Sequence, residues 1–130
     1  MVGERALRTG DIFWLDNCPP LEGDSVKRRP VVIVGIGEIE LIAGGVLAVA
    51  CTSSAYATHL AAIELPSHSQ GRVRSGLRRR TWAVPKWIVV IERKRLGNRA
   101  GYISGPILDR LLAAFLTNYR ASHGKRNGET

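Results

Sequence analysis

Acidic residues, cysteines, histidines and long apolar runs are all scarce in this chain. Its 130 residues include 11 acids against 19 lysines and arginines, two cysteines, three histidines and one methionine. Cys18 and Cys51 are too few for a disulfide framework and form no CxxC, so they suit a reducing cytoplasm better than an oxidising compartment. Cys51 lies in an apolar stretch and is expected as a small core residue. No stretch approaches the ~20 apolar residues that a membrane-spanning helix needs. The start, Met1-Val2-Gly3-Glu4-Arg5, lacks the apolar core of a secretory signal. Neither cysteine has metal-ligand partners nearby, and no metal or other cofactor is expected.

What is present is an ordinary hydrophobic fraction, 45%, and a net charge of +8. The length suits one domain with a core of its own. The charge is local. Residues 70–99 hold ten basic residues (Arg72, Arg74, Arg78, Arg79, Arg80, Lys86, Arg93, Lys94, Arg95 and Arg99) and one acid, Glu92, a net +9 that leaves the rest of the chain at −1. A basic excess confined to one segment is the electrostatic footprint of a nucleic-acid binder. A solvated face, or a surface for an acidic protein, would carry the same signature.

Short apolar runs separated by turn residues predict a mainly β, α+β fold. Strands are expected at residues 11–16, 31–34, 46–51, 62–65, 81–84 and 87–91, with a further extension at 38–42. Residues 17–28 form a polar loop, and a loop of that length in a small domain is often functional. Residues 66–80, rich in Ser, Gly and Arg, read as a mobile loop. Near the end, Ser104 suits an N-cap and Pro106 a first helical turn. Ile107, Leu108, Leu111, Leu112, Phe115, Leu116 and Tyr119 then recur at helical spacing, so an amphipathic helix packs on the sheet. The expected domain covers residues 1–121, followed by a polar, disordered tail at 122–130.

The stretch with the most chemical meaning is Lys27-Arg28-Arg29-Pro30, which runs directly into Val31-Val32-Ile33-Val34. Proline at the first residue of a strand sacrifices no ladder hydrogen bond. Arg29 is thereby fixed at the rim of a rigid sheet, where its planar fork of donors matches phosphate oxygens. A structural ion pair with a carboxylate of the 17–28 loop would explain the same residue. Thr52, with Ser53, closes the apolar 46–51 strand; its hydroxyl can hold a phosphate or simply satisfy nearby backbone.

Gly10-Asp11-Ile12, the loop with Pro20 and Gly23, Lys27 through Val34, and Thr52-Ser53 after an apolar strand resemble the MazF/PemK toxin family. Gly76-Leu77, Arg95-Leu96, the Gly101-Tyr102-Ile103-Ser104 step and the C-terminal helix follow in the family's order, over roughly residues 7–120. The resemblance implies an SH3-like small barrel of five to seven mostly antiparallel strands with a C-terminal amphipathic helix, usually a homodimer. It implies the toxin of a type II toxin–antitoxin system: a metal-independent endoribonuclease that cuts single-stranded RNA at short sequences through the 2′-hydroxyl, leaving a cyclic phosphate. It also implies an acidic antitoxin whose tail covers the RNA groove. Family catalytic positions fall on Arg29 and Thr52. The sequence departs from the family at Trp82-Ala83-Val84-Pro85-Lys86-Trp87, where an acidic–glutamine pair is usual.

Lys27, Arg28, Ser53, Arg78, Arg79, Arg80, Lys86 and Trp82 are the expected RNA contacts, since cations meet phosphates and aromatic rings can stack on bases. Trp14, Trp87 and Tyr56 have the same stacking capacity, although aromatics of this kind more often serve a core or an interface. Asp11 and His59 are the candidate general bases. Asp11 equally suits a turn that bonds its own backbone, while His59 and His68 suit exposed loops without a role. The alternative function is a toxin-fold protein that acts by contact, as a gyrase poison or a nucleic-acid- or antitoxin-binding module.

Overall fold

The computed structural model describes residues 6–21, 25–36, 45–54 and 61–124. Six strands occur in chain order: β1 (Asp11–Cys18), β2 (Lys27–Ile36), β3 (Gly45–Thr52), β4 (Ile63–Leu65), β5 (Thr81–Glu92) and β6 (Arg99–Tyr102). A 3-10 turn, Arg93–Arg95, links the last two, and the helix α1 (Gly105–Gly124) completes the chain. The strands form one curled sheet in the order β4-β5-β3-β2-β1-β6, with every neighbouring pair antiparallel. This is the expected small half-barrel with a C-terminal helix.

The continuous apolar run of β2 follows from burial on both faces. Val32 and Val34 join Ile12, Val49, Leu65, Leu111 and Phe115 in a core beneath α1. Val31 and Ile33 point the other way, into a second core with Phe13, Leu15, Ala48, Trp87 and Ile91. Among the described residues, no helix residue belongs to that second core. Its side chains are buried because the sheet curls over them, so β2 and β3 need apolar residues at every position.

Several local readings change. β2 begins at Lys27 rather than at the apolar run, so Pro30 is its fourth residue, opposite Trp14, and Arg29 lies within the strand opposite Leu15. β6 forms where no strand is expected from the sequence. The strands expected at 81–84 and 87–91 are one strand, β5, running through Pro85. Val49 faces Ile88 and Cys51 faces Ala83, so Val84, Pro85, Lys86 and Trp87 stand opposite Ala50 alone. Proline, which has no N–H to give, sits where the ladder is already interrupted. The 66–80 segment, read as mobile, is laced down instead. The buried Ser75 hydroxyl donates to the Pro66 carbonyl at 2.6 Å and accepts from the Leu77 N–H at 3.2 Å, while the Tyr102 N–H donates to the Arg74 carbonyl at 2.9 Å. The helix continues to Gly124, past Ser122 where the polar tail was expected to begin. The possible extension at 38–42 lies outside the described residues.

Glycine is required where the laced segment meets β6. Gly76 has φ +70°, and a Cβ there would lie 1.9 Å from the Ala100 carbonyl oxygen. A Cβ on Gly101 would lie 2.1 Å from the Arg74 carbonyl oxygen. Both backbones touch at distances that no side chain permits, which sets the position of the arginines that follow Gly76.

Candidate functional site

The pairing Val31↔Ala50 places the start of β2 beside the end of β3. Arg29 and Thr52 thus reach the same end of the sheet, and a cleft of about 490 Å³ opens there. One wall is β2 with Lys27, Arg28, Arg29 and Pro30, flanked by Trp14 of β1. The floor is Cys51, Thr52 and Ser53, and the far wall is Gly76, Arg78, Arg79 and Thr81. β1 ends in a bulge between Leu15 and Cys18, where Asn17 takes φ 54°. Asn is among the residues that tolerate this left-handed conformation best.

Five cations line the cleft, and among the described residues no carboxylate or imidazole does. Arg29 is 4% exposed. Its Nη2 donates to the Ser25 carbonyl at a long 3.4 Å, its Nε is buried without a partner, and its Cζ lies 4.8 Å from the centre of the Trp87 ring. The ion-pair reading of Arg29 finds no carboxylate among the described residues. Asp16 pairs instead with Arg28, whose Nε is 3.3 Å away, and Glu22 and Asp24 lie outside the described residues. Arg28 also stacks over Trp14 at 4.5 Å. The Thr52 hydroxyl accepts the Ser54 N–H at 3.1 Å, as a strand-end threonine would. Accepting that bond leaves the hydroxyl its own proton to donate into the cleft.

The thiols offer no nucleophile. Burial pushes the Cys51 thiol far above its ordinary range, and neighbouring Cys18 adds to this against a smaller opposing pull from Arg29. Burial likewise raises Cys18 despite Arg29 and Arg95. Both stay protonated near neutrality, and it is the thiolate that reacts. Among the described residues no three His, Cys, Asp or Glu side chains converge as metal ligands would, and no helix is long and apolar enough to cross a membrane.

Of the expected contacts, the structure gathers Lys27, Arg28, Arg29, Thr52, Ser53, Arg78 and Arg79 into one cleft. It leaves out Arg80, Trp82, Lys86 and Asp11. Arg80 turns away to Glu64, with bonds of 2.8 and 3.1 Å, because Glu64 pairs with Trp82 across β4 and β5 and brings the carboxylate within reach. This exposed contact also holds the Glu64 carboxyl below its usual range. Trp82 is 8% exposed and lies under Arg80, so it presents no stacking face to the cleft. Lys86 is exposed in the β5 excursion. Asp11 is no free base: Oδ2 accepts the Arg8 N–H at 2.9 Å and Oδ1 pairs with Arg99 at 3.0 Å. It is the turn residue that its position suggested. His59 and Tyr56 lie outside the described residues, and the exposed His68 accepts the Gln70 N–H through Nδ1 at 3.0 Å.

Two aromatics named in the sequence take places that local spacing does not specify. Trp14 faces Pro30 across β1 and β2, and that register puts it at the cleft. Trp87 lies directly against Arg29, a contact that no local spacing encodes.

A family model described as PemK-like, MazF-like toxin of type II toxin–antitoxin system matches residues 8–118. No curated protein sequence matches the chain significantly. Solved structures agree in fold. A MazF crystal structure from Deinococcus radiodurans aligns with TM-score 0.60 at 15% identity, over 93% of this chain and 99% of that one. An endoribonuclease in complex with its cognate antitoxin, from a mycobacterial species, aligns with TM-score 0.58 at 16% identity, over 88% and 93% of the two chains. The Mycobacterium tuberculosis toxin MazF-mt6 aligns with TM-score 0.54 at 19% identity, over 84% and 95%.

Proposed function

From the premise that the chain belongs to the PemK-like, MazF-like toxins of type II toxin–antitoxin systems, we propose that it is an endoribonuclease that cuts single-stranded RNA in the basic cleft. The observation that carries this reading is Arg29, a buried guanidinium without a carboxylate partner among the described residues, lining a cleft that it shares with four other cations. Solved relatives named as endoribonuclease and as toxin share the fold and support the assignment.

In the proposed reaction the 2′-hydroxyl of one nucleotide gives its proton to water as its oxygen attacks its own 3′-phosphorus. The P–O5′ bond breaks and the leaving oxygen takes a proton from water, giving a 2′,3′-cyclic phosphate and a 5′-hydroxyl. Negative charge grows on the non-bridging oxygens. A preorganised cation aimed at that charge usually supplies the largest stabilisation, and losing one such donor costs about 2.7–4 kcal/mol. Arg29 takes this role. As a guanidinium it stays protonated and cannot act as the base. Thr52 donates its hydroxyl to a phosphoryl oxygen. Lys27, Arg28, Arg78 and Arg79 hold the flanking phosphates, and Ser53 adds a hydroxyl at the floor. The protein works as a homodimer, and an acidic antitoxin silences it by occupying the same cations; the antitoxin-bound relative supports that part.

The absence of any carboxylate or imidazole lining the cleft among the described residues favours a second reading, in which the cleft binds RNA or antitoxin without cutting. Incubating the purified protein with mixed-sequence single-stranded RNA and EDTA separates the two. Defined fragments ending in cyclic phosphate are the expected products; salt-sensitive binding without fragments moves the assignment to a binding module.

The cleft also sorts the arginine run. Neutralising Arg78 or Arg79 to glutamine flattens the dependence of log affinity on log salt by about 0.7 each, the value for one phosphate contact on a single strand. Arg80→Gln leaves the slope unchanged, since Arg80 faces Glu64. A slope that falls equally for all three places the whole run on RNA and refutes this sorting.

A further inference from the structure

Among the described residues, four arginines lie over an aromatic ring: Arg28 over Trp14, Arg29 over Trp87, Arg80 over Trp82 and Arg99 over Tyr102. Three of them also hold a carboxylate, Asp16, Glu64 and Asp11 in turn. Arg29 is the exception among the described residues, and it is the deeply buried one.

We infer that Trp87 is the positioning residue of Arg29, holding the cation over its ring in place of a carboxylate so that no acidic partner consumes the donors or charge meant for phosphate. The inference rests on the role proposed above for Arg29. A carboxylate would hold an arginine firmly, but it would consume the planar N–H donors and cancel the charge. An aromatic ring attracts the cation perpendicular to that plane, through its quadrupole, and competes for none of the donors. At Arg29 the outcome is visible: no carboxylate among the described residues takes its donors, Nη2 has only the distant Ser25 carbonyl, and the Nε, shut away from solvent, has no partner.

The ring is itself immobilised. Trp87 is 3% exposed, and its Nε1–H donates to the Pro19 carbonyl at 3.0 Å. That bond ties β5 to the root of the loop between β1 and β2. The ring arrives there through the excursion of Val84 to Trp87 opposite Ala50.

The test uses the full chain with Trp87→Leu and Trp87→Phe. In a nitrogen–proton spectrum of arginine side chains, the Arg29 Nε–H signal, assigned by its loss in Arg29→Lys, is expected to be slow to exchange and displaced by the ring. Trp87→Phe keeps it displaced. Trp87→Leu returns it to the envelope of exposed arginines, while backbone amide signals of β2 and β3 persist. On a mixed-sequence single-stranded RNA, Trp87→Leu lowers the maximal cleavage rate about tenfold and leaves the half-saturating concentration within about twofold. Trp87→Phe recovers most of the rate.

An Arg29 signal that stays displaced in Trp87→Leu overturns the inference, as does a signal that moves without any change in rate. Equal rate losses in both variants also count against it, because they point to packing rather than to the ring face. If the leucine variant fails to fold, the phenylalanine variant decides, and loss of its displaced signal is then the refuting result. A wild-type protein that cuts nothing defeats the nuclease reading instead, leaving the spectral comparison to judge the hold of Trp87 on Arg29.

Discussion

Arg29→Met is expected to slow RNA cleavage severely and at the same time to raise the melting temperature. Methionine fills much of the arginine volume with a flexible apolar chain. The native guanidinium is 4% exposed with an unpartnered Nε, and a buried polar group left unsatisfied costs about 1–3 kcal/mol. Removing it relieves that cost, while losing the contact with Trp87 takes back on the order of 1 kcal/mol. The balance is a small gain, a rise of about 3 °C for a domain of this size. Activity moves the opposite way by about a hundredfold to a thousandfold, the usual effect of removing one preorganised donor from the charge-bearing transition state. Thermal unfolding and a cleavage assay on the same preparation check both halves. A melting temperature that falls by several degrees would show that Arg29 is a structural residue whose partner has been misidentified. Such a trade of stability for function is common where a site keeps a costly group for its chemistry.

Gly76→Ala is the second large effect, and it acts through the fold. A methyl group at this position would lie 1.9 Å from the Ala100 carbonyl oxygen, on a backbone with φ +70°. The obstacle is rigid backbone in β6, so the 74–80 segment must lift off that strand. Lifting breaks the 2.9 Å bond from the Tyr102 N–H to the Arg74 carbonyl and carries Arg78 and Arg79 away from the cleft. The expected loss is on the order of 3–4 kcal/mol, at the diagnostic end of single substitutions, or a fall of roughly 10 °C. Gly105→Ala provides the control. Its φ of +66° is equally left-handed, but nothing lies within 4 Å of the new methyl group. It pays only the conformational cost of about 1 kcal/mol. Similar losses in the two variants would mean that the close approach to β6 is soft and that the arginine wall is not held by it.

These two residues show what was legible in the sequence. Arg29 could be found because the proline after it and the apolar run beyond it mark the start of a strand, although β2 begins two residues earlier, at Lys27. Gly76 was visible only in the Gly76-Leu77 step of the family resemblance; its steric role depends on Ala100, a residue far along the chain. Strand positions followed apolar runs well, since burial on both faces makes β2 and β3 continuous. The charge run at 78–80 was harder to interpret. Consecutive residues leave a chain in different directions, and which arginine meets the cleft depends on where β4 places Glu64. Asp11 looked like a candidate base because acids near a presumed site attract that role. Its two bonded oxygens come from Arg8, which is local, and Arg99, which lies a whole domain away in sequence. Trp82 and Trp87 differ by five positions and were indistinguishable as letters. The unpaired excursion between them sends one beneath Arg80 and the other beneath Arg29.

That excursion also bears on how the chain can diverge. β4 pairs only with residues 81–83 of β5, and residues 88–92 pair with the opposite end of β3. Between them, Val84 to Trp87 answer to Ala50 and to no continuous ladder. An insertion or deletion inside a ladder would invert the inward and outward faces of everything beyond it. Here a change in length would be absorbed locally, and both halves of β5 would keep their register. The fold thus contains a tolerant joint next to its most constrained arginine, where sequence drift can exchange the support beneath Arg29 without disturbing the sheet.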